Sequence, residues 1–172
     1  MRHFFGIRDE EFIRGDVPMT KQEIRMAVMN EARVDEDSVI LDVGAGTGSI
    51  SIEAALGAPK GHVYAIERFD KGIELIQQNM EKFNVSNMTV IKAKAPEGME
   101  DLPELDAVII GGSAGQLGNI IDEAQRLLKI GGRLVVTAVT METGSAILKE
   151  LKGRPFEYHG YQMAINRYRK AG

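Results

Sequence analysis

The chain has 172 residues, with 44% hydrophobic and 27% charged residues, no cysteine and a net charge of −4. That length suits one domain with a sizeable core. The composition excludes disorder, collagen-like structure, disulfides, thiolate catalysis and cysteine-based zinc sites. The acidic total argues against a nucleic-acid partner.

The first helix is expected in "TKQEIRMAVMNEAR", with Thr20 as its N-cap. From Ser38 onward, strand-like and helix-like stretches alternate. "SVILDVG" (Ser38–Gly44) is a strand ended by glycine, and "SISIEAALGA" follows with helical spacing through Ile50, Ala54, Ala55 and Leu56. "HVYAIER" (His62–Arg68) is the second strand. "DKGIELIQQNMEKFNV" is a helix with Asp70 as its N-cap and Ile73, Ile76, Met80 and Phe83 on its apolar face. Met88–Ala93 and Leu105–Gly112 are the third and fourth strands. "QLGNIIDEAQRLLKIGG" reads as a helix stopped by Gly131–Gly132, ahead of a fifth strand, Arg133–Thr140. A helix around Glu142–Lys152 leads into "FEYHGYQMAINRYR", read as two strands turning near Gly160.

This order implies an α/β fold: a Rossmann-like, seven-stranded, mostly parallel sheet with helices on both faces. The last two strands have no helix between them and should form an antiparallel edge hairpin. Residues 1–172 read as a single domain, with 1–37 a preceding segment and 38–172 the core. No apolar run reaches the length of a membrane span. The N-terminus lacks the apolar core of a signal peptide, so a cytoplasmic location is expected. His3, His62 and His159 are widely spaced, and no metal site is expected. From Lys149 onward basic residues outnumber acidic ones, which reads as a solvated face with an anion site as the alternative.

"LDVGAGTGSIS" is the most specific signal. A strand enters Gly44-Ala45-Gly46-Thr47-Gly48 and passes directly into a helix. The glycines permit a tight turn and close ligand approach, and the helix N-terminus offers free N–H groups. Glu67 closes the second strand, where a carboxylate can accept both ribose hydroxyls of an adenosine group. Dinucleotide folds favour G-x-G-x-x-G. The G-x-G-x-G form here, preceded by Asp42, resembles the first motif of S-adenosylmethionine-dependent methyltransferases with a seven-stranded sheet. In that fold the loop after the third strand brings Ala95 against the adenine. After the fourth strand "IIGGSAGQ" departs from the Asn/Asp-Pro-Pro-aromatic motif of enzymes that methylate base amines. Its small residues, Ser113 among them, could form the open floor of a site for a broad, flat substrate.

The opening string "GIRDEEFIRGDVPMTKQEIR", followed by "LDVGAGTGSISIEAA", resembles the decarboxylating precorrin methyltransferases of cobalamin biosynthesis. The resemblance covers nearly the whole chain. Arg8 departs from it, standing where "GIPDEEF" would carry proline. The resemblance implies methylation of C-15 of a cobalt-precorrin by S-adenosyl-L-methionine, with loss of CO2 from the C-12 acetate. It implies cofactor contacts at Thr20, Gly44, Ala45, Gly46, Thr47, Gly48, Glu67 and Ala95. It also implies a homo-oligomer, a tetramer. A substrate rich in carboxylates calls for cations, and Arg8, Arg14, Lys21 and Arg25 are candidates. Asp9, Glu10 and Glu11 would repel it, so some of these acids should bond backbone N–H groups or basic residues. No catalytic acid or base stands out. The alternatives are a methyltransferase for RNA, protein or another small metabolite, and a regulatory module that binds S-adenosylmethionine without turnover. The opening segment reads as a lid, and removing residues 1–19 should cost turnover far more than stability.

Overall fold

A computed structural model describes residues 5–168. Five strands form one parallel sheet: β1 (Val39–Val43), β2 (His62–Glu67), β3 (Met88–Lys92), β4 (Leu105–Ile110) and β5 (Leu128–Val136), in the order β3-β2-β1-β4-β5. Five α-helices accompany them: α1 (Gln22–Ala32), α2 (Ser49–Gly57), α3 (Asp70–Lys82), α4 (Leu117–Leu127) and α5 (Met141–Leu151). None is long and apolar enough to cross a membrane.

The central strands are apolar on both faces because helices cover both. Alternate residues therefore enter different cores. Ile40, Val63, Ala107 and Ile109 pack with Val28, Met29, Ile52 and Ile76 of the α1–α3 layer. Leu41, Val43, Ile66, Val108 and Ile110 pack with Ile120, Ile121, Ala124 and Leu127 of α4, and with Leu151 of α5. The strand order reverses on either side of β1. The crevice at the carboxyl ends of β1 and β4 is therefore where an open α/β sheet binds its ligand.

Four local expectations are corrected. Helix α4 ends at Leu127, not at Gly131–Gly132. Leu128 is already extended, and the glycines lie in an irregular part of β5, with Gly131 at φ +81° and Ile130 fully exposed. The N-cap of α3 is Phe69 rather than Asp70, and Asp70 pairs with Lys92. Thr20 does not cap α1. Helix α1 starts at Gln22, whose N–H donates to Asp9 Oδ1 at 2.9 Å, so the distant Asp9 does the capping. Finally, the expected edge hairpin is absent among the described residues, where the sheet has five strands rather than seven. The segment after α5 crosses to α1 and is held there by side chains. Tyr161 Oη donates to Glu31 at 3.2 Å, and Arg167 pairs with Glu23 and Asp9. Its backbone joins no strand, and Tyr158, Tyr161, Met163 and Ile165 stay exposed.

Candidate cofactor site and the segment that covers it

The glycine loop follows β1 directly. Gly44, Gly46 and Gly48 all have positive φ, which glycine alone adopts freely. Gly44 also needs the space: a Cβ there would lie 2.8 Å from the Gly112 carbonyl oxygen and 2.9 Å from its nitrogen. Backbone thus lies against backbone, and Gly111 and Gly112, which precede Ser113, adjoin the loop. Gly111 and Gly112 anchor that second turn by donating to the Val43 carbonyl at 2.9 and 3.3 Å.

Glu67 closes β2 almost fully buried. Its Oε2 accepts the Gly46 N–H at 2.9 Å, and its Oε1 accepts those of Arg68 and Phe69 at 2.8 and 2.9 Å. A carboxylate has about four lone-pair sites, so one remains for a ligand hydroxyl beside the loop. Gly72 in the first turn of α3 permits this arrangement. A Cβ there would meet Glu67 Cγ at 2.7 Å and the Gly46 oxygen at 3.0 Å. Asp42 lies under the loop, buried, and accepts from Ser51 Oγ at 2.5 Å. Burial pushes its carboxyl up to about 6, the Ser51 bond opposes that rise, and the charge of Glu67 adds to it. Two buried carboxylates with no ion-pair partner among the described residues make this a place that favours positive charge.

Thr47 Oγ1 is buried without a hydrogen-bond partner. Such atoms are rare in folded proteins, and this one lies in the loop that the sequence marks for ligand contact. Together with the remaining capacity of Glu67 and the acidic floor, it fits an adenosine-bearing, cationic cofactor. Ala95 is buried near the carboxyl end of β3, in the same core as Val43 and Ile66.

The opening segment packs against this loop. A Cβ on Gly46 would lie 3.5 Å from the Pro18 oxygen and 3.8 Å from Val17. Arg25 of α1, fully buried, organises the segment. Its guanidinium donates to Glu53 at 2.7 Å, to Asp9 at 2.9 Å, and to the carbonyls of Ile7 and Thr20. It also lies 4.7 Å from the centre of the Phe12 ring. Glu53 in turn accepts the Gly6 N–H at 2.7 Å. Arg25 is therefore not a substrate cation, contrary to the sequence expectation: its donors are engaged inside the protein.

Asp9 meets the expectation that some acids of the string bond backbone and basic groups. It accepts from Gln22, Arg25 and Arg167. Burial raises its carboxyl, but the bonds from Arg25 and Arg167 outweigh that and hold it below its usual range. Of the other candidate cations, Lys21 lies 4.0 Å from Asp9. Arg8 and Arg14 are exposed, Arg8 near the start of the segment and Arg14 in its middle. Arg14 lies between Ile13 and Gly15, which contact Asn79 and Leu75 of α3, near the loop. Arg8 lies beside Gln22, Glu23 and Arg167. The segment's own buried residues, Asp9 and Phe12, make it part of the fold. Removing residues 1–19 therefore carries a cost in stability beside the larger one expected in turnover.

Sequence reasoning missed Glu53, Gly72 and Asn79. Glu53 had a visible signal, being the one acid in an otherwise apolar and small helix, a position that demands a partner.

A five-stranded parallel sheet with a glycine loop after β1 and buried carboxylates around it has the Rossmann-like methyltransferase fold. Residues 11–165 match the family model described as "Precorrin methyltransferase domain", and the chain belongs to that family. It is 42% identical over 149 residues to the probable cobalt-precorrin-6B C(15)-methyltransferase (decarboxylating) of Sulfurisphaera tokodaii, covering 85% of this chain and 77% of that one. Among solved structures it is similar to precorrin-6y C5,15-methyltransferase from Geobacter metallireducens, with TM-score 0.82 and 42% identity over 86% of this chain and 79% of that one. It is also similar to precorrin 8w decarboxylase from Methanobacterium thermoautotrophicum, with TM-score 0.83 and 34% identity over 88% and 82%.

Proposed function

We propose that this chain methylates C-15 of a cobalt-precorrin and removes CO2 from its C-12 acetate, in cobalamin biosynthesis. The observation that carries this reading is the extent of the family match. It runs from within the opening segment to beyond α5, joining the cofactor loop to the string that covers it. S-adenosyl-L-methionine supplies the methyl group from its sulfonium. Gly44, Ala45, Gly46, Thr47 and Gly48 would hold it, with Glu67 accepting a ribose hydroxyl, Ala95 beside its adenine and Thr20 closing the site from the opening segment.

Residues 1–37 act as the covering part of a single domain whose core is 38–172. Arg8, Arg14 and Ser113 are the candidates to meet the carboxylate-rich tetrapyrrole, Arg8 and Arg14 as exposed cations of the opening segment and Ser113 in the turn after β4. Methyl transfer to an electron-rich ring carbon mainly requires alignment and exclusion of water. The chain's task is accordingly to fix the loop, the Gly111–Ser113 turn and the opening segment around the reacting atoms. No side chain is assigned as acid or base. A cytoplasmic homotetramer belongs to this reading.

The test is turnover. Purified protein with cobalt-precorrin-6B and methyl-labelled cofactor should give a product that has gained one methyl and lost CO2, read by mass spectrometry. Methylation with the C-12 acetate intact would overturn the decarboxylating half, and an unchanged tetrapyrrole would overturn the substrate.

A further inference from the structure

Asn79 is fully buried on α3, one turn beyond Ile76, on the face turned toward the sheet. Its Oδ1 accepts the Ile13 N–H at 2.9 Å, while its Nδ2 donates to the Ile13 carbonyl at 2.8 Å and to the Thr47 carbonyl at 2.9 Å. An amide carries a donor and an acceptor side by side, so it completes a backbone N–H and C=O as a neighbouring strand would. Its second N–H then reaches a different element. Ile13 lies in the middle of the opening segment, and Thr47 in the glycine loop. One side chain therefore bonds both walls of the cofactor site. Arg25, by contrast, fixes the segment near its two ends, at Ile7 and Thr20, and bonds nothing in the loop.

We propose that Asn79 is a positioning residue for cofactor binding, coupling the placement of the opening segment to the geometry of the glycine loop. This rests on the reading that the loop holds S-adenosylmethionine. The Thr47 carbonyl is the loop's last one before Gly48 turns into α2. Fixing it orients the N–H groups at the start of that helix. The same amide holds Ile13, so ordering either wall favours the other. Without the link, cofactor binding must order the segment separately, and affinity falls.

Asn79→Asp is the near-isosteric probe. It keeps the acceptor for Ile13 but turns an oxygen toward two carbonyls. When protonated it can restore one donor, and when ionised it repels both. Calorimetry with S-adenosylhomocysteine should therefore show a ratio of variant to wild-type Kd that rises with pH, reaching at least about tenfold in alkaline buffer. Leu127→Ala, buried on α4 away from the loop, should lower Tm and leave Kd unchanged. A variant that folds and binds with wild-type Kd across the pH range overturns the proposal. Should Asn79→Asp fail to fold, hydrogen exchange on the wild type decides. S-adenosylhomocysteine should slow exchange of the Ile13 amide, and an unchanged rate overturns the coupling. A wild-type chain that does not bind this probe overturns the cofactor reading itself.

Discussion

Two segments lie outside the sheet, one before it and one after it, and both mix acids, bases and aromatics. They behave differently. The opening segment buries Asp9 and Phe12 and is held through its backbone, with Gly6, Ile7, Ile13 and Thr20 each bonded to a side chain of α1, α2 or α3. The closing segment, residues 152–168, is anchored at its start by Arg154 on α4 and by Phe156 against the core, but beyond them it touches α1 through side-chain tips and leaves Tyr158 and Tyr161 more than half exposed. The difference lies in the core opposite them. Helices α1–α3 present Arg25, Glu53 and Asn79, buried polar groups that need partners and find them in one passing chain. What α1 offers the closing segment is chiefly Glu23 and Glu31, each about a third exposed and so within reach of water, and the one buried acid it meets, Asp9, already has Arg25. A segment without regular structure becomes fixed where burial leaves a polar group no alternative partner.

The strongest way to break this contrast is Arg25→Met. It leaves Asp9 and Glu53 buried without their cation, and breaking a buried ion pair from one side costs about 3–5 kcal/mol. Urea denaturation should show that loss. Proteolysis should then cut first between Gly6 and Thr20. A midpoint shift as small as that of a surface substitution would mean that the cluster does not hold the segment.

Acid titration sharpens the same contrast, because two buried carboxylates on this side of the sheet move in opposite directions. Asp9 has its cations, and its native pKa is depressed. Its contribution to stability is complete above the unfolded value of about 4 and is lost as pH falls through the lower native value. Asp42 has no cation, and its carboxyl is pushed up to about 6. The native state then binds its proton more tightly than the unfolded chain does. Stability falls by about 3 kcal/mol as pH rises from about 4 to 6, and levels off above. Urea midpoints from pH 2 to 8 should rise and then fall in the wild type. Asp9→Asn should flatten the acid limb alone, and Asp42→Asn the limb near neutrality. A cation bound over the loop pulls the Asp42 proton off, so S-adenosylmethionine should bind more tightly at pH 7 than at pH 5.

The sheet was readable in the sequence because its signals are local. Strands such as Val108-Ile109-Ile110 are continuous apolar runs, and the glycine loop needs no distant residue to be recognised. The position of Glu67 at the end of β2 was legible from the strand that precedes it. The network around the opening segment was not, since its bonds join residues far apart in the chain, such as Asn79 with Ile13 and Arg25 with Glu53. On α3 the apolar stripe through Ile73, Ile76, Met80 and Phe83 pointed close to the right face. The most buried positions are instead Gly72, Ile76 and Asn79, so the stripe's centre holds a glycine and an amide that a hydrophobic pattern passes over. The edge hairpin depends on what lies beside it. Alternating side chains in "FEYHGYQMAINRYR" suit a strand, but a strand forms only with a neighbour to pair with.

The smallest effect is expected at Arg167, which bonds Asp9 and Glu23 and so is the one ionic link between the two segments among the described residues. Its bonds to Glu23 and Asp9 hold the guanidinium fully charged. Even so, the side chain is 37% exposed, and Asp9 retains the buried Arg25 when Arg167 is removed. Arg167→Ala should therefore leave the urea midpoint indistinguishable from wild type at 0.15 M salt. The change should appear instead in the closing segment, as faster proteolysis around Tyr158–Tyr168 and as sensitivity to salt that the opening segment lacks. If Arg167→Ala instead loosened residues 6–20 as much as Arg25→Met does, the surface link would be holding the opening segment. Burial of its partners would then not be what separates the two segments.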